Sequence, residues 1–237
     1  MNAIAPISAG AMPPRVREWW SAGVVAGVIY GGLLLSAWLE LPAGTPLAGR
    51  IPYQAAWKTA MALLLARAAC FHTLRGERRW LVAALLLSAL GDLLLALPWL
   101  PFSFAGGLGA FLLAHLAYLA LLAPLAGDLR AHRLVACGVV VGVAGTLLAR
   151  FWPNLGTLML PVCLYVGALA AMACAALLAR LPTPLAAAGA LCFVASDALI
   201  GVARFLSPFE RFELSIWWTY AAAQVLLVAG IVTGREP

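Results

Sequence analysis

Apolar runs of about 20 residues follow one another along almost the whole chain, and a helix needs about that length to cross the hydrocarbon core of a bilayer. Inside lipid every backbone N–H and C=O must find its partner within the protein, which makes the helix the natural fold for such runs. Pro, Gly and Arg punctuate the runs and divide the chain into eight spans, near 19–41, 53–71, 79–97, 103–124, 132–150, 155–180, 183–206 and 213–233. The chain is therefore expected to be an all-α polytopic membrane protein. Residues 1–18 would be a cytoplasmic N-terminal segment, 19–233 one eight-helix transmembrane domain and 234–237 a C-terminal tail. Pro161 should kink the sixth helix or mark its start. The first run reads as a retained helix, because a cleaved leader has a shorter apolar core with a small-residue cleavage site close behind it. Composition agrees: 65% of the 237 residues are hydrophobic and 10% charged, too few charges for the surface of a soluble domain.

The net charge of +6 does not mark a nucleic-acid protein. The basic residues stand in ones to threes between the apolar runs, a topology signal rather than a phosphate-binding patch. One side of the membrane would hold Arg15, Arg17, Arg75, Arg78, Arg79, Arg130, Arg133, Arg180 and Arg235. The other would hold Arg50, Arg150, Arg204 and Arg211. Nine against four favours both termini in the cytoplasm. The Ala, Leu and Arg richness points to a bacterial inner (plasma) membrane. Arg67 is expected to snorkel at the cytoplasmic end of the second helix. Trp19, Trp20, Trp217 and Trp218 fall at predicted boundaries and read as interfacial belt residues.

Against this background a few polar residues stand out. Asp92 lies within "LLLSALGDLLLALP" and Asp197 within "LCFVASDALIGVARF". An ionised side chain at a helix centre costs about 2.5 to 3.5 kcal/mol on insertion scales. At 1.5 Å per residue, Asp92 sits about 20 Å above Arg79 and Asp197 about 25 Å above Arg180. On the return helices His115 is about 20 Å above Asp128, and Gln224 about 17 Å above Arg235. Four helices thus bring their most polar side chain to one outer-half layer, which Lys58 would join. His115 and Tyr118 share a helix face, as do Tyr220 and Gln224. Arg204, seven residues after Asp197, is a candidate partner for it. Taken singly, each aspartate could be a packing partner of Lys or Arg, His115 a satisfied core histidine, and Tyr118, Tyr165 and Tyr220 packing aromatics. Their convergence points to a shared polar cavity.

An offset of 105 residues aligns Asp92 with Asp197 and His115 with Tyr220, so the chain reads as two parallel four-helix halves. The three histidines form no metal-ligand pattern, and the five cysteines form no C-x-x-C pair and read as core residues. No cofactor is expected, and no phosphate loop, dinucleotide fingerprint or nucleophile elbow is present. The residues alone leave open an enzyme, a proton-coupled transporter using the aspartates as a relay, and a non-catalytic lipid-binding protein.

The ordered set G-D at Asp92, G-x-x-x-F-x-x-x-H-x-x-Y from Gly107 to Tyr118, S-D at Asp197 and Y-x-x-x-Q at Tyr220 resembles the YhhN family of membrane proteins. The resemblance covers about residues 58–230. Lys58 is similar to a family lysine usually followed by Pro, where this chain has Thr59. The characterised animal members are lysoplasmalogenases. The resemblance therefore implies hydrolysis of the vinyl-ether bond of a lysophospholipid, with membrane lipids as surroundings. It makes Asp92 and Asp197 the acid–base pair. His115, Tyr118, Tyr165, Ser196, Tyr220 and Gln224 would orient water or bind the glycerophosphate, and Lys58 or Arg204 would meet the phosphate.

Overall fold

The computed structural model describes residues 11–42, 45–207 and 212–235. Arg211 of the charge count, residues 1–10 and Pro237 lie outside the described residues. Eight α-helices result: α1 (Pro14–Glu40), α2 (Gln54–Ala69), α3 (Arg75–Leu95), α4 (Ser103–Leu122), α5 (Ala131–Phe151), α6 (Met159–Leu178), α7 (Leu185–Phe205) and α8 (Glu213–Val232). No strand occurs among the described residues beyond one isolated bridge between Ala126 and Ala179. The helices match the apolar runs to within a few residues. Pro161 is the third residue of α6, where its missing N–H costs nothing, so it marks the start rather than a kink.

Among the described residues six helices, α1 and α4 to α8, are long and apolar enough to cross a membrane, and the protein is an integral membrane protein. The other two fall short for different reasons. α2 has 16 residues, a length of about 24 Å against a core of about 30 Å. α3 opens on Arg75, Glu77, Arg78 and Arg79 and carries Asp92 further along.

Small residues let the helices approach. A Cβ at Gly230 of α8 would stand 2.2 Å from the backbone N of Ala186 on α7, and one at Gly189 would stand 2.7 Å from the backbone N of Leu227. Without hydrophobic driving force in lipid, such backbone-level packing is what holds transmembrane helices together. α5 stands at the periphery, with only Val140 and Phe151 of its 21 residues buried.

The connections gather at two ends of the bundle. At one end Thr73 donates to the Arg235 carbonyl, and Glu77 pairs with both His72 and Arg235. There too, the backbone N–H groups of Gly127 and Asp128 donate to the Leu178 carbonyl. At the other end the Leu47 N–H donates to Glu213 and Asn154 donates to the Phe205 carbonyl. Arg67 is at the end of α2, stacked between Trp19 and Phe71. The site lies towards the end that carries Leu47 and Glu213.

Candidate active site

Asp92 and Asp197 line one cavity of about 180 Å³, together with Lys58, Ser196 and Tyr220. The two carboxylates come from α3 and α7, helices that stand on different sides of the bundle and are each followed by a tightly packed neighbour. Ser103, at the start of α4, donates to the Leu94 carbonyl near the end of α3 at 2.7 Å. Ser196 donates to the Ile216 carbonyl of α8 at 3.2 Å. Each aspartate is thus fixed on a helix clamped to the next one. Gly91 admits the Phe111 ring, which a Cβ there would meet at 2.6 Å.

The side chain of Asp92 is 1% exposed. Lys58 Nζ lies 3.7 Å from Oδ1, and Tyr220 donates its hydroxyl to Oδ2 at 2.6 Å. Behind it a chain of hydrogen bonds runs from Gln224 Nε2 to the Tyr220 oxygen at 3.1 Å, and from the Tyr118 hydroxyl to Gln224 Oε1 at 2.6 Å. Asp197, 6% exposed, accepts the Tyr165 hydroxyl at 2.7 Å and has His115 Nε2 at 3.1 Å. His115 Nε2 is also 3.1 Å from the Tyr165 oxygen. Because Tyr165 gives its proton to Asp197, an Nε2–H donor satisfies both contacts of the ring. Every polar atom around each carboxylate is a donor or a cation, as a buried carboxylate requires.

The two rings that the 105-residue offset aligns, His115 and Tyr220, each hold one of the aspartates. Tyr220 on α8 holds Asp92 on α3, and His115 on α4 holds Asp197 on α7. Between them lies Phe193, whose ring is edge-on to His115 at 4.7 Å, to Tyr220 at 5.6 Å and to Phe111 at 6.3 Å. Aromatic rings thus form the floor of the site.

A second cavity, of about 60 Å³, is lined by Leu108, Phe151, Val162, Tyr165 and Phe205. Asp197 lines both cavities, as do Leu95, Phe104, Phe111 and Ile200. The two spaces therefore adjoin, one bearing both carboxylates and the other almost wholly apolar, with Asp197 at the junction.

Of the residues singled out in the sequence, Lys58, Asp92, Ser196, Asp197 and Tyr220 line the first cavity and Tyr165 the second. His115, Tyr118 and Gln224 are fully buried behind the wall and act on the lining residues, not on the cavity. Arg204 makes no ion pair with Asp197; its guanidinium lies over the Phe104 ring at 4.7 Å. Seven residues of helix separate the two by about 10.5 Å along the axis, which explains the miss. Trp217 is not a belt residue. It is 2% exposed, donates Nε1–H to the Gly27 carbonyl at 2.9 Å and packs edge-on against Tyr30. Trp218, one position round the helix, is 41% exposed.

Sequence reasoning missed Tyr30, Gln54, Glu213 and Trp217 as lining residues. A signal for three of them was there. Glu213, Trp217, Tyr220 and Gln224 are spaced 4, 3 and 4 apart, one face of a helix. Gln54 and Lys58 share a face in the same way.

Comparison with known proteins bears on the same residues. A model of the YhhN family matches residues 53–231, which hold both aspartates and all their partners. A lysoplasmalogenase of Mycobacterium bovis is 51% identical over 228 residues, covering 94% of this chain and 87% of the relative. A lysoplasmalogenase of Mycobacterium tuberculosis matches with the same identity and coverage. No solved structure matches significantly. With the family match extending over three quarters of its length, the chain belongs to the YhhN family.

Proposed function

We propose that the protein is a lysoplasmalogenase, an intramembrane ether hydrolase that cleaves the vinyl-ether bond of a lysoplasmalogen by two-aspartate acid–base catalysis. One observation carries the reading: Asp197 stands where the cavity it shares with Asp92 meets the apolar one. A vinyl-ether lipid changes from head group to hydrocarbon at the bond that is cut. With its chain in the apolar space and its glycerophosphate in the other, that bond lies beside a carboxyl group. The names of the mycobacterial relatives support the same activity.

The chemistry follows from the substrate. A carboxylic acid delivers its proton to the carbon β to the ether oxygen, leaving an oxocarbenium ion. A carboxylate stabilises that cation and takes a proton from the attacking water. The hemiacetal then collapses to a fatty aldehyde and the free hydroxyl of a glycerophospho-ethanolamine or -choline. Two carboxyl groups in a water-poor site can divide the tasks, each general acid or base step contributing about 100- to 10,000-fold. Tyr220 and Lys58 orient Asp92, and Tyr165 and His115 orient Asp197. Ser196 and Tyr220 contact water or the glycerol, and Lys58 meets the phosphate.

The reading includes the topology. All eight helices cross an inner membrane as two four-helix halves in one domain, with the short segments 1–18 and 234–237 outside it and both termini cytoplasmic. The nine-to-four arginine count supports the orientation. The crossed grip of Tyr220 and His115 supports the halves. Purified protein in detergent should release aldehyde from a lysoplasmalogen without any ion gradient. A proton-coupled transporter or a lipid-binding protein would release none.

A further inference from the structure

The apolar cavity beside Asp197 measures about 60 Å³, far below the roughly 300–1,000 Å³ of pockets that enclose a drug-sized ligand. A lipid chain spans about 15 Å, half the hydrocarbon core, and cannot end inside it. The chain has to leave the protein through one of the cavity walls. The wall made by α5 and α7 is closed. A Cβ at Gly201 would stand 2.6 Å from the Phe151 ring, and that ring meets the Phe205 ring at 5.5 Å. Asn154 donates to the Phe205 carbonyl and ties the end of α5 to that of α7. Leu108 of α4, only partly buried, stands in another wall, and it also lines a groove of about 250 Å³. Ala105, Leu108, Gly109 and Leu112 form one side of that groove, and Leu158 and Pro161, at the start of α6, form the other. The first four share a face of α4 and make a strip about 10.5 Å long. Both sides belong to segments apolar enough to cross a membrane, and Ala105 and Pro161 are exposed, so the groove opens to hydrocarbon.

We infer that this groove between α4 and the start of α6 is the subsite for the hydrocarbon chain of the lipid substrate, which passes Leu108 on its way from the apolar cavity into the bilayer. The inference rests on the lysoplasmalogenase reading of the cavity. Continuity carries it: Asp197 joins the polar cavity to the apolar one, and Leu108 joins the apolar one to the groove. A substrate held in this way keeps its vinyl ether beside Asp197 while most of its chain stays among apolar groups, so no hydrocarbon is drawn into water.

Gly109→Leu fills the groove without touching the site, because nothing stands within 4 Å of a Cβ built there. The test compares a long-chain lysoplasmalogen with an analogue whose alkenyl chain is short enough to end inside the apolar cavity, on the full-length protein in detergent. Gly109→Leu should raise KM at least about tenfold for the long chain and leave the short one unchanged. Gly142→Leu, which also enters open space but on α5, should change neither. Equal loss on both substrates, or none on the long one, would overturn the subsite. A readout on wild type needs no turnover and no variant. An alkyl-glycerophosphoethanolamine, whose saturated ether is not hydrolysed, carries a photoreactive diazirine midway along its chain. Irradiation should attach it to residues 105–112 or 158–161, and an excess of the unlabelled lipid should displace it. Displaceable labelling elsewhere alone would overturn the subsite, as would labelling of the groove that no excess displaces, the mark of bulk lipid. Displaceable labelling of the groove without aldehyde release from a lysoplasmalogen would keep the subsite and overturn the hydrolase reading.

Discussion

Replacing Lys58 by Met removes the cation that faces Asp92 and leaves the rest of the site in place. Asp92 is 1% exposed and Lys58 19%, so the carboxylate bears most of the desolvation while the ammonium keeps some contact with water. Breaking a fully buried pair by deleting one partner costs about 3 to 5 kcal/mol. The partial exposure of Lys58 and the remaining Tyr220 hydrogen bond bring the expectation to the low end, about 3 kcal/mol. A carboxylate can also escape by taking up a proton, which from its ordinary pKa costs about 4 kcal/mol at pH 7 and sets a ceiling. For a chain of this size 3 kcal/mol lowers the melting temperature by about 6–12 °C. Adding Asp92→Asn removes the stranded charge, so the double variant should recover most of that loss. Thermal unfolding of the two single variants and the double in one detergent closes the cycle. A Lys58→Met protein as stable as wild type, or a double variant no more stable than Lys58→Met, would show that the two groups are not coupled. The assignment of Lys58 as the partner of Asp92 would then fail.

Other expectations follow from particular contacts. Gly230→Ala drives a methyl group into the α7 backbone at Ala186 and should destabilise the protein by about 1–3 kcal/mol, read as a lower melting temperature, whereas Ala at Gly142, which has open space, should not. A reporter fused after Pro237 should behave as cytoplasmic; periplasmic activity there would reverse the orientation. Asp128, in the connection before α5, has its pKa pulled down to about 2 by hydrogen bonds from Arg130 and by the charges of Arg130 and Arg133. A depressed carboxylate stabilises the fold above its unfolded pKa and loses that contribution as pH falls through the folded one. The stability difference between wild type and Asp128→Asn should therefore be constant above about pH 4 and shrink towards pH 2.

Hydropathy made the helices legible because in lipid the apolar run and the helix are nearly the same thing. Only α2 and α3 blur this, one through length and the other through the arginines at its start. The site was legible where a polar residue had no other reason to lie at mid-helix, as with Asp92, Asp197, His115 and Gln224. The 105-residue offset aligned the aspartates and the rings but did not say which ring would hold which aspartate. Glu213 and Gln54 escaped notice because a polar residue at a helix end needs no explanation in sequence. Trp217 escaped because Trp at a boundary is usually interfacial, and only its spacing from Tyr220 and Gln224 separates it from Trp218. Arg204 looked like a partner of Asp197 because facing the same way was mistaken for being within reach.

The central claim is that Asp92 and Asp197 together break the vinyl ether. Aldehyde release from a lysoplasmalogen, measured on purified wild type, Asp92→Asn, Asp197→Asn and the double variant, tests it most directly. Each single variant should fold, since Asn keeps the shape and removes a charge the bilayer disfavours, yet turn over at least about 100-fold more slowly. The double variant should be little worse than the slower single, because the two groups act as a unit. If either folded Asn variant turns over at the wild-type rate, that aspartate is structural and the paired mechanism is wrong.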